Sequence, residues 1–384
     1  MKIKSLLLGS AAALFAASGA SAADAIIAAE PEPVEYVRVC DAFGNGYFYI
    51  PGTETCLRIS GYVWFQVGAT DVSWDSAYSD TWENSTRARV NIDARSDTEW
   101  GELASRIRLQ GTWGNNVDGN TTVDQAWIRL GGLFMGYSES YWVNAYNTGP
   151  TNFGSHSWDG MGYGYQQRHQ IGYTFNTGNF YIAASVEDNS QLEPNGFGGV
   201  SPSWTPDFVG KIGGQIGSFN IFAKAGYDAF TGNAGYGAGL VTDVGSAGNF
   251  ILYGYWAPDG STSYGGNKSF AVDTGTGNCL FGGIVYSAFG SCQVTPEWSV
   301  LGSFRWQFTP EFSASIGAQY FGDFYYPTGT GLGDFSTGID AWQAELELVW
   351  TPVTDFEIRA YIQYFDADQI GDVTTGFLRF TRSF

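Results

Sequence analysis

Polar and apolar residues alternate along most of the chain with a period of two. The clearest case is residues 85–97, where every second position is charged or an amide: Arg87, Arg89, Asn91, Asp93 and Arg95. Successive side chains of an extended strand point to opposite faces of a sheet, so these residues share one face and the small or apolar residues between them share the other. A helix would scatter the arginines around its circumference. The pattern therefore predicts strands, and it recurs in residues 102–113, 303–308, 345–350 and 356–363.

The alternation predicts sixteen strands joined by connections of two kinds. The candidate strands cover residues 57–69, 85–98, 101–113, 122–131, 132–140, 168–176, 179–187, 206–216, 218–228, 234–244, 248–257, 298–308, 311–324, 338–351, 354–366 and 373–384. Connections after even-numbered strands are tight, such as Gly131-Gly132 and Thr309-Pro310. Connections after odd-numbered strands are longer and include residues 141–167, 188–205 and 258–297. Short turns at one end and long loops at the other are typical of an antiparallel transmembrane β-barrel.

The chemistry of the two strand faces indicates which one meets water. In a soluble barrel the apolar face would point inward and the charges outward. Here one face carries many charges and the other is rich in Trp, Tyr and Phe. We therefore expect lipid outside and water inside, because a closed barrel pairs every backbone polar group and sixteen strands enclose an aqueous channel. Tryptophans near strand ends suit interfacial girdles: Trp100, Trp113, Trp256, Trp298 and Trp350.

Composition narrows the class of protein. Aromatic residues make up 17% and charged residues 15% of the 384-residue chain, which argues against disorder. The formal net charge of −20 argues against a nucleic-acid partner, which needs a basic surface. Residues 1–22 have a basic start, a short apolar run and a small-residue Ala20-Ser21-Ala22 site, so they are predicted to be a secretory signal peptide.

Export makes disulfides possible in the mature chain. Cys40 and Cys56 are 16 residues apart, and Cys279 and Cys292 are 13 apart. Local pairing within each couple is the simplest of three connectivities. We therefore predict three parts: the signal peptide, an N-terminal disulfide-bearing segment at 23–56, and a transmembrane β-barrel at 57–384.

Several stretches resemble the general porins of alphaproteobacterial outer membranes. They are AEPEPVEYVRVCDAFGNGYFYIPGTETCLRISGYV (29–63), RARVNIDARSDTEWGEL (87–103), DQAWIRLGGLFMGYSES (124–140) and the ending GFLRFTRSF (376–384). The resemblance implies a 16-stranded barrel in the outer membrane of a Gram-negative bacterium, usually a homotrimer, that passes small hydrophilic solutes and ions passively. It also implies that the third long loop, about residues 141–167, folds into the lumen and sets the constriction.

A cluster of basic residues precedes that loop. The predicted pore-lining arginines lie in the polar phase of the first four strands: Arg58, Arg87, Arg89, Arg95, Arg106, Arg108 and Arg129. The acids available near or on the loop are Glu139 and Asp159. One interpretation is a transverse field, with arginines on one wall and carboxylates opposite. The other is that the arginines pair with Asp93, Glu102 and neighbouring carboxylates to solvate a wall. The preference for cations or anions stays open.

Alternative functions make different demands on the residues. The loop aromatics favour packing against the wall over a stacking track for sugars, although a channel selective for sugars or carboxylates remains the second hypothesis. The only histidines are His156 and His169, and Ser155 is adjacent to His156 on the chain, where neighbouring side chains point apart. We therefore expect no enzyme, no cofactor and no metal site. Lipopolysaccharide bridged by divalent ions is a further partner to consider, through outer-loop acids: Asp71, Asp75, Asp80 and Glu83.

Overall fold

The computed structural model describes most of the chain. The described ranges are residues 38–73, 81–114, 119, 121–143, 154–157, 161–188, 204–258, 263–266, 270–271, 278–281, 284–287, 293–326 and 335–384. The predicted signal peptide lies outside them, as do Asp75, Asp80, Asp159 and Cys292. None of the helices in the described ranges has the length and apolar character needed to cross a membrane.

Sixteen strands form one antiparallel barrel and are numbered here in chain order. They are β1 (Cys56–Val72), β2 (Thr81–Thr98), β3 (Gly101–Gly114), β4 (Thr121–Leu130), β5 (Leu133–Glu139), β6 (Gln167–Asn176), β7 (Phe180–Glu187), β8 (Asp207–Ile216), β9 (Phe219–Asp228), β10 (Asn233–Val244), β11 (Gly248–Trp256), β12 (Gln293–Thr309), β13 (Phe312–Tyr326), β14 (Ala341–Val353), β15 (Phe356–Ala367) and β16 (Gly371–Ser383). Short strands outside the ring include Phe48–Tyr49, Phe270–Ala271, Asn278–Phe281, Ile284–Ser287 and Phe335–Ser336.

Each barrel strand pairs with the next one along the chain, and β16 closes the ring on β1. At the seam Tyr62 lies opposite Ser383, and the backbones of Gly61 and Phe384 exchange two hydrogen bonds of 2.9 and 3.0 Å. Closure leaves no open sheet edge, which a strand surrounded by hydrocarbon would otherwise expose. The predicted 16-stranded antiparallel barrel is confirmed.

The connections explain why the predicted strand boundaries hold. Every even-numbered strand before β16 turns into the next within two or three residues. Gly131 and Gly217 begin two of these turns with φ of 55° and 62°, a left-handed conformation that glycine adopts without strain. The longest connections follow β5, β7 and β11. The connections after β9 and β15 depart from the alternation, because residues 229–232 and 368–370 are tight turns at the loop end of the barrel.

The two faces of the wall have the orientation that the alternation predicts. On β14, Leu346, Leu348 and Trp350 are 41%, 39% and 50% exposed on the outside, whereas Glu345 and Glu347 are 6% and 2% exposed on the inside. Ile107, on the outer face of β3, is likewise exposed, whereas Arg106 and Arg108 are buried. An apolar exterior around a polar interior suits a barrel set in lipid.

The residues before β1 form a small cap held by a disulfide. Cys40 is bonded to Cys56, the first residue of β1, with their Cα atoms 6.0 Å apart. The Cys40 N–H donates to the Tyr47 carbonyl at 2.9 Å, and the two cysteines pack with the buried Tyr47 ring. The first predicted disulfide is therefore confirmed. The second stays a prediction, because Cys292 lies outside the described residues.

Candidate functional site

The seven predicted pore-lining arginines all face the lumen on β1–β4, and we call them the arginine wall. Carboxylates lie among these arginines on the same strands, and not only on the opposite side of the lumen. Asp93 accepts from Arg106 at 2.6 Å and from Arg58 at 3.3 Å. Glu102 lies 3.2 Å from Arg95 and 2.7 Å from Arg129. Each carboxylate thus joins guanidiniums of neighbouring strands, as the second interpretation of the arginines expects.

A third carboxylate, Asp124, reaches the wall through a β-bulge. The register between β3 and β4 shifts after Arg108, so one residue of β4 has no partner. Val123 points outward, whereas both Asp124 and Gln125 turn inward. Asp124 then lies 3.7 Å from Arg89 and 3.4 Å from Arg108. Strict alternation hides this residue, because an inserted position changes the phase of the strand.

Seven guanidiniums against three interleaved carboxylates leave the arginine wall positive. Arg87 adds to this surplus, because its guanidinium donates to the Thr112 hydroxyl at 2.8 Å and forms no ion pair within the described part of the chain. Its centre lies 5.1 Å from the Trp64 ring. Such stacking holds a guanidinium in place without cancelling its charge.

The same chemistry continues across the seam onto β15 and β16, where the sequence analysis named no site residue. Arg379 donates to Gln66 at 2.8 Å, and its guanidinium lies 4.8 Å from the centre of the Trp64 ring. Arg359 lies directly opposite Arg379 in the register of β15 and β16. The alternation of polar and apolar residues on these strands places both arginines on the inner face, so the sequence contained the signal that could have identified them.

The third long loop, between β5 and β6, crosses to the wall formed by β11–β14. The Nδ1 atom of His156 lies 2.7 Å from the Ser303 hydroxyl, and its Nε2 donates to the Asn249 Oδ1 at 2.8 Å. The Asn249 amide is oriented by its donation to Asp243 at 2.8 Å. Burial lowers the pKa of His156 and so favours the neutral imidazole, in which Nδ1 accepts from the Ser303 hydroxyl. We call these contacts the histidine clasp.

A second anchor of the loop lies beside the clasp. The Ser157 hydroxyl donates to Glu345 Oε2 at 2.7 Å, and Tyr361 donates to the same oxygen at 3.1 Å. Further along the loop, the Gln319 amide donates to the Gly162 carbonyl at 2.8 Å. The expected inward folding of this loop is therefore present in its described residues. Ser155 contacts Ser157 at 3.0 Å and not the imidazole, so the two form no nucleophile–base pair.

The inner face of β7–β11 is different, because it is covered. Trp142 from the third loop and Tyr264 from the loop between β11 and β12 pack there against each other, with ring centres 5.8 Å apart. Both belong to one buried aromatic and aliphatic cluster that includes Tyr181, Phe222 and Tyr253. We call this region the loop-covered wall. Nothing in the alternation of polar and apolar residues indicates that the loop between β11 and β12 contributes to this cover.

Buried charges tie both loops to this wall. The Tyr264 hydroxyl donates to Asp207 at 2.9 Å, and burial raises the pKa of Tyr264. The carboxylate of Glu187 accepts from the Tyr141 backbone N–H at 2.9 Å. The Lys224 ammonium donates to the Trp142 carbonyl at 2.8 Å and lies 4.1 Å from the Trp142 ring centre. The polar phase of β7–β9 contains these groups, but nothing in the alternation shows that loops cover them.

The remaining predicted residues lie around this arrangement. Glu139 ends β5, where it interacts electrostatically with Arg108 and Arg89. Asp159 lies outside the described residues. Tyr47 of the cap places its ring 4.7 Å from Arg58 and 5.4 Å from Arg95, at the short-turn end of the arginine wall. Within the described ranges, no group of three or more His, Cys, Asp or Glu residues is arranged to hold a metal ion.

Relatives of this chain are known among outer-membrane proteins. A family model described as "Porin subfamily" matches residues 24–377. "Outer membrane protein IIIA" of Rhizobium leguminosarum bv. viciae is 33% identical over 98% of this chain and 93% of its own length. "Porin Omp2b" of Brucella neotomae is 36% identical over 72% of this chain and 83% of its own length.

Solved structures share the architecture. The outer membrane channel DcaP of Acinetobacter baumannii superposes with a TM-score of 0.62 at 14% identity, over 88% of this chain and 99% of that one. A mutant of the Rh. blastica porin superposes with a TM-score of 0.53 at 14% identity, over 85% and 100%. At such identities the likeness concerns the fold alone. The family match, the relatives and the water-facing interior together show that this chain belongs to the porin subfamily and is an outer-membrane porin channel of a Gram-negative bacterium.

Proposed function

We propose that the constriction of this porin lies between the third loop and the arginine wall. Small hydrophilic solutes and ions would cross there passively and be sorted by size and charge. The supporting observation is that the histidine clasp and Ser157 hold the loop against β11–β14, while the guanidiniums line the wall from β15 through β4. Charges inside a membrane protein commonly mark such a pathway.

The surplus positive charge of the arginine wall favours anions over cations at this point. The net charge of the whole chain is negative, but charges farther than about 8–10 Å are screened near physiological salt. Lumen charges should therefore dominate selectivity. A sugar- or carboxylate-selective channel is the second candidate, and it predicts a conductance that saturates or is blocked by its solute.

Planar-bilayer recording of the purified protein tests this proposal. We expect stepwise insertion of open channels, a conductance that rises linearly with salt, and a reversal potential on the anion side in a salt gradient. A cation-side reversal potential would contradict the assignment of the constriction. Absence of any conductance would contradict passive diffusion itself.

We also propose a homotrimer, as the porin resemblance implies. One structure with the same fold, OmpT of Vibrio cholerae, is described as a trimer form. If each inserted channel closes in three equal steps in the same recordings, the trimer is supported. If each inserted channel closes in one step, the trimer is contradicted.

Lipid and lipopolysaccharide are the expected surroundings of the outer face. Asp71 lies in the outward phase of β1 near the loop end and is the candidate group for divalent ions that bridge lipopolysaccharide, whereas Glu83 shares the inner phase of β2 with Arg87 and Arg89. We assign no enzymatic activity to this chain, because Ser155 and His156 are each engaged in structural hydrogen bonds with other residues.

A further inference from the structure

A polar cavity of about 250 Å³ lies beneath the histidine clasp, toward the short-turn end of the barrel. Its wall is formed by β12–β15, its roof includes His156, and its rim includes Pro310 and Glu311 of a tight turn. Arg305, Arg359, Glu347 and Glu357 supply further charged groups of the lining. We call this space the under-loop pocket. A solute that has passed the constriction meets it next.

Arg305 is the distinctive cation of the under-loop pocket. Its side chain is exposed to the lumen, and it forms no ion pair with any residue that the structure describes. Its cross-strand neighbours are Asn249 on β11 and Ser315 on β13, both uncharged. Most arginines of the opposite wall share a carboxylate, so Arg305 is better placed to bind an anionic group of a solute.

The other side of the pocket has one carboxylate more than it has cations. Arg359 lies 2.8 Å from Glu347 and 3.0 Å from Glu357, so two carboxylates share one guanidinium. Glu347 is buried, but the Glu357 side chain is 32% exposed. Glu357 therefore presents the surplus negative charge to the pocket, and Glu311 at the rim adds another.

These two features complement a solute with both charges. Arg305 and Glu357 belong to β12 and β15, three strands apart, or roughly 14 Å across the sheet. The row of Arg305 meets β15 at Tyr361, so Glu357 is also displaced by four residues, or roughly 13 Å, along the strands toward the short-turn end. Both side chains line the pocket, which occupies the space between them. The hydroxyl groups of Ser313, Ser315 and Thr351 line the floor. A simple anion would be repelled by the glutamates, and a simple cation would be repelled by Arg305.

We propose that the under-loop pocket is a low-affinity subsite for small zwitterions of the α-amino acid class. The solute carboxylate binds Arg305, and the solute ammonium group binds Glu357. The inference rests on the channel function proposed above, which it refines by naming a class of solute that is retained briefly during passage.

The test uses single-channel recording with three small probes of similar size. L-alanine carries both charges, L-lactate has a hydroxyl in place of the ammonium group, and ethylamine lacks the carboxylate. We expect L-alanine to reduce the current in a saturable way and to add current noise, and lactate and ethylamine to do so about tenfold more weakly, since each loses one charged hydrogen bond.

Variants assign the effect to the pocket. Arg305→Ala and Glu357→Gln should each weaken the L-alanine effect about tenfold, and Arg305→Lys should retain part of it. Arg382→Ala is the matched control, because Arg382 is exposed near the same end of the barrel and pairs with Asp355 instead. Heat-shifted mobility on gels shows that each variant has folded.

The outcomes separate the two proposals. If L-alanine acts no more strongly than glycerol, or if lactate matches L-alanine, the zwitterion subsite is wrong while the open channel stands. If Arg305→Ala and Glu357→Gln conduct normally and keep the full L-alanine effect, the subsite does not lie in this pocket. If the wild-type protein conducts no ions, the channel function fails and the subsite fails with it.

Discussion

The arginine wall and the loop-covered wall are built from strands of the same kind, yet their inner faces differ. On β1–β4 the inward side chains are mostly arginines, carboxylates and amides, with a few aromatic rings among them. On β7–β11 they include Tyr181, Phe222, Ile251 and Tyr253, which are buried under two loops. The inner face of β1–β4 is therefore a charged and polar surface, and the inner face of β7–β11 is packed like the core of a soluble protein.

The difference shows that a residue on the inner face of the barrel is not always in contact with water, because a loop can cover it. The loop-covered wall also includes paired glycines at which a loop approaches the sheet. Gly226 and Gly235 are cross-strand partners on β9 and β10, and a Cβ at either position would overlap Tyr264. These two glycines leave a space that we call the glycine notch. The notch accepts Tyr264, which is 0% exposed. Burial inside the barrel thus stabilises the loops, whereas charge on the other side defines the pathway.

The largest expected effect comes from removing the ring in that notch. Tyr264→Ala deletes a buried aromatic side chain, which typically costs about 3–5 kcal/mol, and it removes the hydroxyl donor to Asp207. We expect a clear drop in the thermal midpoint and channels with noisier open states, because both loops lose a shared contact. Thermal unfolding in detergent and single-channel recording measure the two effects.

Glycine variants sharpen this comparison without removing any contact. Gly235→Ala should destabilise because its Cβ would meet the Tyr264 carbonyl, whereas Gly210→Ala, with no atom within 4 Å of the added Cβ, is the control. Equal thermal midpoints for the two variants would mean that the notch is not a tight fit.

The second effect in size concerns the cap at the start of the barrel. The double variant Cys40→Ser, Cys56→Ser opens a loop of 16 residues, and such a crosslink contributes about 3 kcal/mol. We expect residues 38–55 to become sensitive to added protease while the barrel remains protected. Unchanged protease resistance in the reduced protein would show that packing around Tyr47 is sufficient.

A smaller effect should follow from changes in the arginine wall. Arg106→Ala with Arg108→Ala removes two positive charges and leaves Asp93 and Asp124 with one arginine each. A unit charge about 4 Å from an ion contributes about 1 kcal/mol in water, which corresponds to roughly a fivefold change in a ratio. We therefore expect the permeability of cations relative to anions to rise about fivefold. The reversal potential in a salt gradient measures this shift, and Arg382→Ala is the control. An unchanged ion preference would contradict the transverse field.

The smallest effect concerns the histidine clasp and pH. Because burial lowers the pKa of His156, the folded state favours the neutral ring, so the full contribution is present above the ordinary pKa of 6.5 and is lost as pH falls through the lower folded value. We expect open-state noise to rise on acidification. His156→Gln keeps a donor and an acceptor but does not titrate, so this variant should lose the pH dependence; noise that still rises would point to another group.

Alternation alone predicted the sixteen strands and the outward face, because both depend only on a period of two and on turn residues. It could not find Asp124, since a bulge changes the phase of β4. It also could not distinguish Lys224, covered by Trp142, from Arg305, which is open to the lumen, although both occupy polar-phase positions. Which inward residues are covered depends on loop contacts between distant parts of the chain, and no local pattern contains that information.

The facing arginines of β15 and β16 show what sets the alignment of these strands. Like charges directly opposite each other disfavour a pairing, and a slip by two positions would place Arg379 across from Glu357 instead of Arg359. The slip is prevented by geometry. Gln369 in the three-residue turn and Gly371, the first residue of β16, adopt φ of 63° and 133°, and β16 is held on its other side by β1. Turn shape and ring closure therefore prevail over local electrostatic attraction, so the sheet keeps two arginines side by side that a free choice of register would have separated.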